Sequence, residues 1–290
     1  MFFVPWAFLL FVMFYGGAAI VIRELSWRWN TGWMGILFMG AAFGILQEGC
    51  ATRAFFDPAW PSLGPMMNHG RWLGVNWIWS MDAILYHAIY SMAVPILFVN
   101  QLFPDAQEQT WMGKTALGTA GAAFILGLSV WLYSGKDRYQ PPTSYLWASA
   151  DFAALLCFAA SSFKARKSNA VPTPVSWAWF SLLGFMATLG FVLQVYAIPR
   201  MGSPVITVLF LLSLLGTSVW LLTRWSRHGA WSLEQQFGLV VGILGFFALM
   251  DFFQEFNPAR GNTTKGVSLV GLGSLAMLVW MNWRRKKRFF

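Results

Sequence analysis

Residues 203–223 read SPVITVLFLLSLLGTSVWLLT, a run without one charged side chain between Arg200 and Arg224. As an α-helix, a run of this length rises about 30 Å, which matches the hydrocarbon core of a bilayer. Pro and Gly punctuate its start and a basic residue closes it. Eight further apolar runs flank it, near 4–22, 33–51, 75–101, 113–134, 143–162, 176–198, 235–256 and 266–283. Together they predict an all-α fold: a polytopic membrane helix bundle of about nine transmembrane helices, forming one transmembrane domain over residues 1–290. No soluble domain and no internal repeat interrupts it.

Composition agrees. Hydrophobic residues make up 57% of the chain and charged residues 11%, against about 25% charged in soluble domains. Trp residues gather at the run ends (Trp27, Trp29 and Trp33; Trp72, Trp77 and Trp79), as in the aromatic belts of membrane interfaces. The net charge of +9 does not point to nucleic acid, because the basic residues sit in short loops and a tail beside apolar spans. There they orient the chain and meet anionic lipid. The lipid bilayer is therefore the expected partner, with a membrane-protein partner left open. Two cysteines, Cys50 and Cys157, build neither a disulfide framework nor a structural zinc site.

Nine spans put the termini on opposite sides. With the C-terminus inside, 13 of the 20 Lys and Arg residues fall on the inner side, including Arg23, Arg28, Arg224 and the tail Arg284–Arg288. The positive-inside rule then predicts an integral protein of the cell membrane with its N-terminus outside and its C-terminus cytoplasmic. The first run has no preceding positive residue and Arg23 directly after it, the reverse of a secretory signal, so it reads as a retained anchor. Gly40 with Gly44, and Gly238 with Gly242, are small-residue pairs that allow close helix approach. The connection over 53–74, rich in Pro, Gly and aromatics, is expected outside, as a lid over the bundle or as a structured, inert loop. Asn262-Thr263-Thr264 is a short glycosylation sequon.

Ionisable side chains inside a span are costly and face the protein interior or water. Glu48 should lie about 22 Å up from the inner end of its span, at 1.5 Å per residue. The same rise puts Asp82 roughly 9 Å, His87 roughly 16 Å and Asp151 roughly 12 Å below the outer boundary. Three spans thus send polar groups to one outer-to-middle layer. Asn76, Ser80, His87, Tyr90 and Ser91 share one face of the third span, while Asp82 points about 140° away. These residues, with Asp251 at the outer end of the eighth span, are the candidates for binding a substrate or ion. Each has a plain structural alternative. His87 could hydrogen-bond across helices, Glu48 could pair with Arg53, and Asp251 with Glu255 could sit solvated. Glu24, with Arg23 and Arg28, reads as a juxtamembrane cluster.

Gln47-Glu48-Gly49-Cys50-Ala51-Thr52-Arg53 resembles the EExxxR motif of the CAAX-type (CPBP) intramembrane endopeptidases. Glu48 falls on the first Glu and Arg53 on the Arg, and His87 corresponds to the His of that family's second motif, FxxxH. The resemblance spans about 40 residues. It departs from the pattern at Gly49, in place of the second Glu, and at Ala83, in place of the Phe. No His stands in a later span for the third motif. It implies that Glu48, His87 and Arg53 are catalytic, with Glu48 and His87 activating water for peptide cleavage. A desolvated carboxylate suits a general base.

Three functions fit these residues. In an intramembrane hydrolase, Glu48 is the base, His87 orients water or stabilises the oxyanion, and Asp82 or Asp151 orients His87 or holds a metal. In a proton- or cation-coupled transporter, Glu48, His87 and Asp151 form the relay. In a non-catalytic scaffold or partner subunit, they are interhelical glue. No nucleotide-binding loop, HExxH helix or CxxC is present. The sequence demands no cofactor, and a divalent metal held by His87, Glu48 and an Asp stays open.

Overall fold

The computed structural model describes residues 4–107, 109–135, 139–165, 173–226, 231–257 and 264–288. Asn262 and Thr263 of the sequon lie outside these residues, as do several of the cations that set the expected orientation. The described chain is almost wholly helical. Its helices are α1 (Pro5–Trp29), α2 (Gly32–Ala51), α3 (Trp77–Leu102), α4 (Lys114–Ser134), α5 (Thr143–Ser162), α6 (Trp177–Tyr196), α7 (Pro204–Trp225), α8 (Leu233–Glu255) and α9 (Val267–Arg288).

The first eight are long and apolar enough to cross a membrane. The last expected span is also a helix, but α9 runs on into the basic residues Arg284–Arg288 and does not join the eight on length and composition. The chain spans the bilayer many times.

Two compact units result, residues 1–167 with 194–209, and residues 168–193 with 210–290. In the first, α2 packs against α1, α3 and α5. Phe14, Ala18 and Ile22 of α1 meet Ile36, Met39 and Phe43 of α2, Met92 and Ile96 of α3, and Ala160 of α5. Gly40 and Gly44 permit the close approach of α2 to α3. A Cβ on Gly40 would stand 2.9 Å from the Ala88 Cα, and one on Gly44 would stand 3.0 Å from the His87 Cβ. In the second unit, α8 lies against α9. Its Gly238 and Gly242 are pressed on α6, where added Cβ atoms would overlap the Trp177 and Ser181 carbonyl oxygens.

The segment from Thr52 to Asn76 is folded. Leu63 and Met66 form a small core with Ile78 of α3, against Trp60, Trp79 and Val208. Arg71–Trp72 and Val75–Asn76 pair as a two-stranded antiparallel hairpin. The Arg71 guanidinium donates to the Phe56, Asp57 and Gly74 carbonyls. The segment begins directly over Glu48, since the Phe55 N–H donates to the Glu48 carbonyl at 3.3 Å.

Candidate functional site

The second half of α2 and the middle of α3 carry the pair. Glu48 Oε1 and His87 Nε2 lie 3.1 Å apart, with 9% and 5% of the two residues exposed. Each partner is held from its own helix one turn on. The Thr52 hydroxyl shares its proton between Glu48 Oε2 at 3.2 Å and the Gln47 carbonyl at 3.1 Å, and His87 Nδ1 meets the Ser91 hydroxyl at 3.0 Å. Thr52, Glu48, His87 and Ser91 thus form one hydrogen-bonded series.

The backbone around the pair is unusual. Residues Leu46–Ala51 of α2 and His87–Ala93 of α3 form wide π-helical turns, and α1 has a third at Val12–Gly16. Such turns are rare and concentrate at functional sites, because one inserted residue re-aims the side chains around it. All three meet here. Tyr15, from the α1 turn, places its ring 6.1 Å from the His87 ring, Phe43 lies at 5.6 Å and Tyr86 at 5.5 Å. The imidazole therefore sits among aromatic rings, and Glu48 supplies its acidic neighbour.

Arg53 does not pair with Glu48. It adopts a left-handed backbone, φ 62°, which is uncommon for a residue with a Cβ. Its buried guanidinium donates to the Gly135 carbonyl and, at 3.5 Å, to that of Tyr139. Arg53 thus fastens the segment leaving α2 to the end of α4 and beyond.

The remaining candidates fall elsewhere. Asp151 is exposed. On α5 it is Ala153 and Ala160 that turn inward, and two residues from Ala153 is more than half a turn away. Asn76 caps α3: its Oδ1 accepts from the Trp79 N–H at 3.0 Å and its Nδ2 donates to the Met66 carbonyl at 2.6 Å. Ser80 donates back to the Asn76 carbonyl at 2.7 Å, so both residues are spent on starting the helix. Tyr90 is half-buried beside Tyr86. Asp82 is buried on the other side of α3, where Gln194 Nε2 donates to its Oδ1 at 2.7 Å. Asp251 belongs to the second unit, half-buried. Its neighbour Glu255 caps α9, accepting from the Gly266 and Ser268 N–H groups at 3.0 and 2.7 Å.

Among the described residues no three His, Cys, Asp or Glu side chains cluster as a metal site. Among the described residues no Asp stands with Glu48 and His87 to complete the mixed set.

The juxtamembrane cluster is more built than its sequence suggested. Glu24, fully buried, binds the Arg23 guanidinium at 2.7 Å and the Trp111 N–H at 2.7 Å, with Arg28 at 3.5 Å. Arg23 lies 3.9 Å above the Trp111 ring and donates to the Ala106 and Gln107 carbonyls. It clamps the α3–α4 connection onto α1.

The model of an uncharacterized membrane protein family matches residues 1–250. The chain belongs to that family. The family match takes in Glu48, His87 and the first seven helices with most of α8, and leaves α9 outside. No curated protein and no solved structure matched the chain.

Proposed function

We propose that this family member is an intramembrane hydrolase acting on peptide bonds, with Glu48 and His87 as its reactive pair. The observation that carries the reading is the 3.1 Å contact between Glu48 Oε1 and His87 Nε2. It joins two residues 39 apart, the same two that the likeness to CAAX-type endopeptidases singles out. The convergence of three π-helical turns on them adds support.

The chemistry follows from the hydrogen bonds. With Glu48 ionised, His87 donates from Nε2 to Oε1 and accepts the Ser91 proton at Nδ1, so the tautomer is set. Glu48 Oε2 keeps acceptor capacity beside the Thr52 hydroxyl. A water there gives its proton to Glu48 while its oxygen attacks the substrate carbonyl. The C–O bond forms, the His87 Nε2–H bond keeps Glu48 Oε1 in place, and Glu48 returns the proton to the amine as the C–N bond breaks. Arg53 acts here as a positioning residue, holding the end of α2.

The test is cleavage of a library of hydrophobic peptides co-reconstituted with the protein in liposomes, read by mass spectrometry. Loss of a general base costs about 100-fold or more, so Glu48→Gln should abolish cleavage while the protein still folds. Wild-type protein that cleaves nothing, or a Glu48→Gln variant that cleaves equally well, overturns the proposal.

One observation favours a second reading. The series Thr52–Glu48–His87–Ser91 is a short path along which a proton can move, as a proton-coupled transporter requires. Proton uptake into liposomes that Glu48→Gln removes, without cleavage of any peptide, would decide for transport. Retention of both properties by Glu48→Gln would leave the pair as helix glue in a scaffold.

A further inference from the structure

Asp82 and Gln194 are 1% and 0% exposed, and both belong to the first unit. One hydrogen bond joins them, from Gln194 Nε2 to Asp82 Oδ1. The other oxygen of each side chain, Asp82 Oδ2 and Gln194 Oε1, has no hydrogen-bond partner among the described residues. Nor does any described cation pair with Asp82. Each orphaned buried acceptor costs about 1–3 kcal/mol, and an unpaired buried carboxylate costs far more.

The two orphans are complementary to a single missing atom. A carboxylic acid offers one O–H donor and one carbonyl acceptor, and a primary amide offers N–H donors and one carbonyl acceptor. With the N–H···Oδ1 bond in place, the second bond of such a pair runs between Oδ2 and Oε1. One proton on Oδ2 satisfies both atoms and removes the charge. A divalent cation would need about six oxygen ligands, and only these two stand free in the pair.

We infer that Asp82 and Gln194 form a proton-binding site within the membrane, with Asp82 held as the neutral acid in a two-bond ring with the Gln194 amide. The proton ties α3 to the last turn of α6, and its release leaves two acceptors facing each other. Titratable groups on the surrounding elements are engaged elsewhere: His87 with Glu48 and Ser91, and His69 with Thr207. Tyr86 packs on the His87 and Tyr90 rings. The site is independent of the hydrolase reading.

Infrared difference spectroscopy of the full chain in liposomes at neutral pH tests it, comparing wild type with Asp82→Asn. A protonated carboxylic acid gives a carbonyl stretch that a carboxylate lacks, and that band should vanish in the variant. Thermal melts supply the second reading. Asp82→Asn keeps the ring, because the Asn Nδ2 donates to Gln194 Oε1 in place of the acid proton, so it should melt with the wild type. Asp82→Ala strands the amide and should melt lower. Absence of the acid band from wild type, or an Asp82→Asn protein as damaged as Asp82→Ala, overturns the inference.

Discussion

Gly44→Ala should part Glu48 from His87 without replacing either residue. The added Cβ would lie 3.0 Å from the His87 Cβ, 3.2 Å from the Ile84 Cα and 3.4 Å from the Ile84 carbonyl oxygen. Carbon atoms pack best at about 3.5–4.0 Å, so α3 must withdraw at His87 by about 0.5 Å. Two of the three nearest atoms are backbone, so no rotamer change absorbs the displacement. The Glu48–His87 contact is already 3.1 Å. Added to it, the same shift gives about 3.6 Å, beyond a hydrogen bond. Overpacking costs about 1–3 kcal/mol, and the lost bond to a charged group about 1.5–3 kcal/mol. Replacing a helical Gly with Ala returns only about 1 kcal/mol, so the variant should be less stable. Gly118 of α4 is the control, because nothing stands within 4 Å of a Cβ there. Gly118→Ala should hold or raise the melting temperature. Melts in detergent, with the imidazole nitrogen NMR signals of His87, read both effects. A Gly44→Ala protein as stable as Gly118→Ala, with the His87 signals unmoved, refutes the argument.

Gly242→Ala on α8 should be more damaging than Gly44→Ala, because its Cβ would overlap the Ser181 carbonyl and crowd the Phe185 N–H; a variant that melts with wild type would mean α6 and α8 are not held at this distance. Glu24→Ala leaves Arg23, 4% exposed, without its counter-charge, and breaking a buried pair costs about 3–5 kcal/mol. Trypsin cleavage near Lys114 should then accelerate, whereas an unchanged cleavage rate would sink the clamp. Burial pushes the His69 imidazole below its ordinary value, so the unfolded chain binds the proton more readily than the folded one. The stability this contributes is complete above the unfolded value and is lost as pH falls through the folded value. Melts from pH 7 to about 5 should show a loss that His69→Gln reduces; an equal loss in both proteins removes His69 as its source.

The sequence carried the spans and put Glu48 and His87 at one level of the bundle, where they meet, and the physical reason is the same for both. Hydrocarbon thickness fixes run length, and a constant rise per residue converts position into depth. Depth is only one coordinate. Asp151 is expected in the layer of Glu48 yet is exposed, because its azimuth follows from which face of α5 buries its alanines. Part of the missing coordinate was legible: Thr52 and Ser91 stand four residues after Glu48 and His87, the spacing that puts side chains on one helical face. Asn76 and Ser80 also lie on the expected stripe, but the start of α3 consumes their hydrogen bonds. The π-helical turns were not legible, since they arise when packing forces an extra residue into a helix whose local propensities are ordinary. Gln194 was equally hidden, 112 residues from Asp82, in a helix with no charged residue to draw attention to it. The two polar contacts on α3 therefore differ in kind. In Glu48–His87 both carboxylate oxygens and both ring nitrogens have hydrogen-bond partners. Asp82–Gln194 lacks one donor, and a proton is the smallest ligand that supplies it.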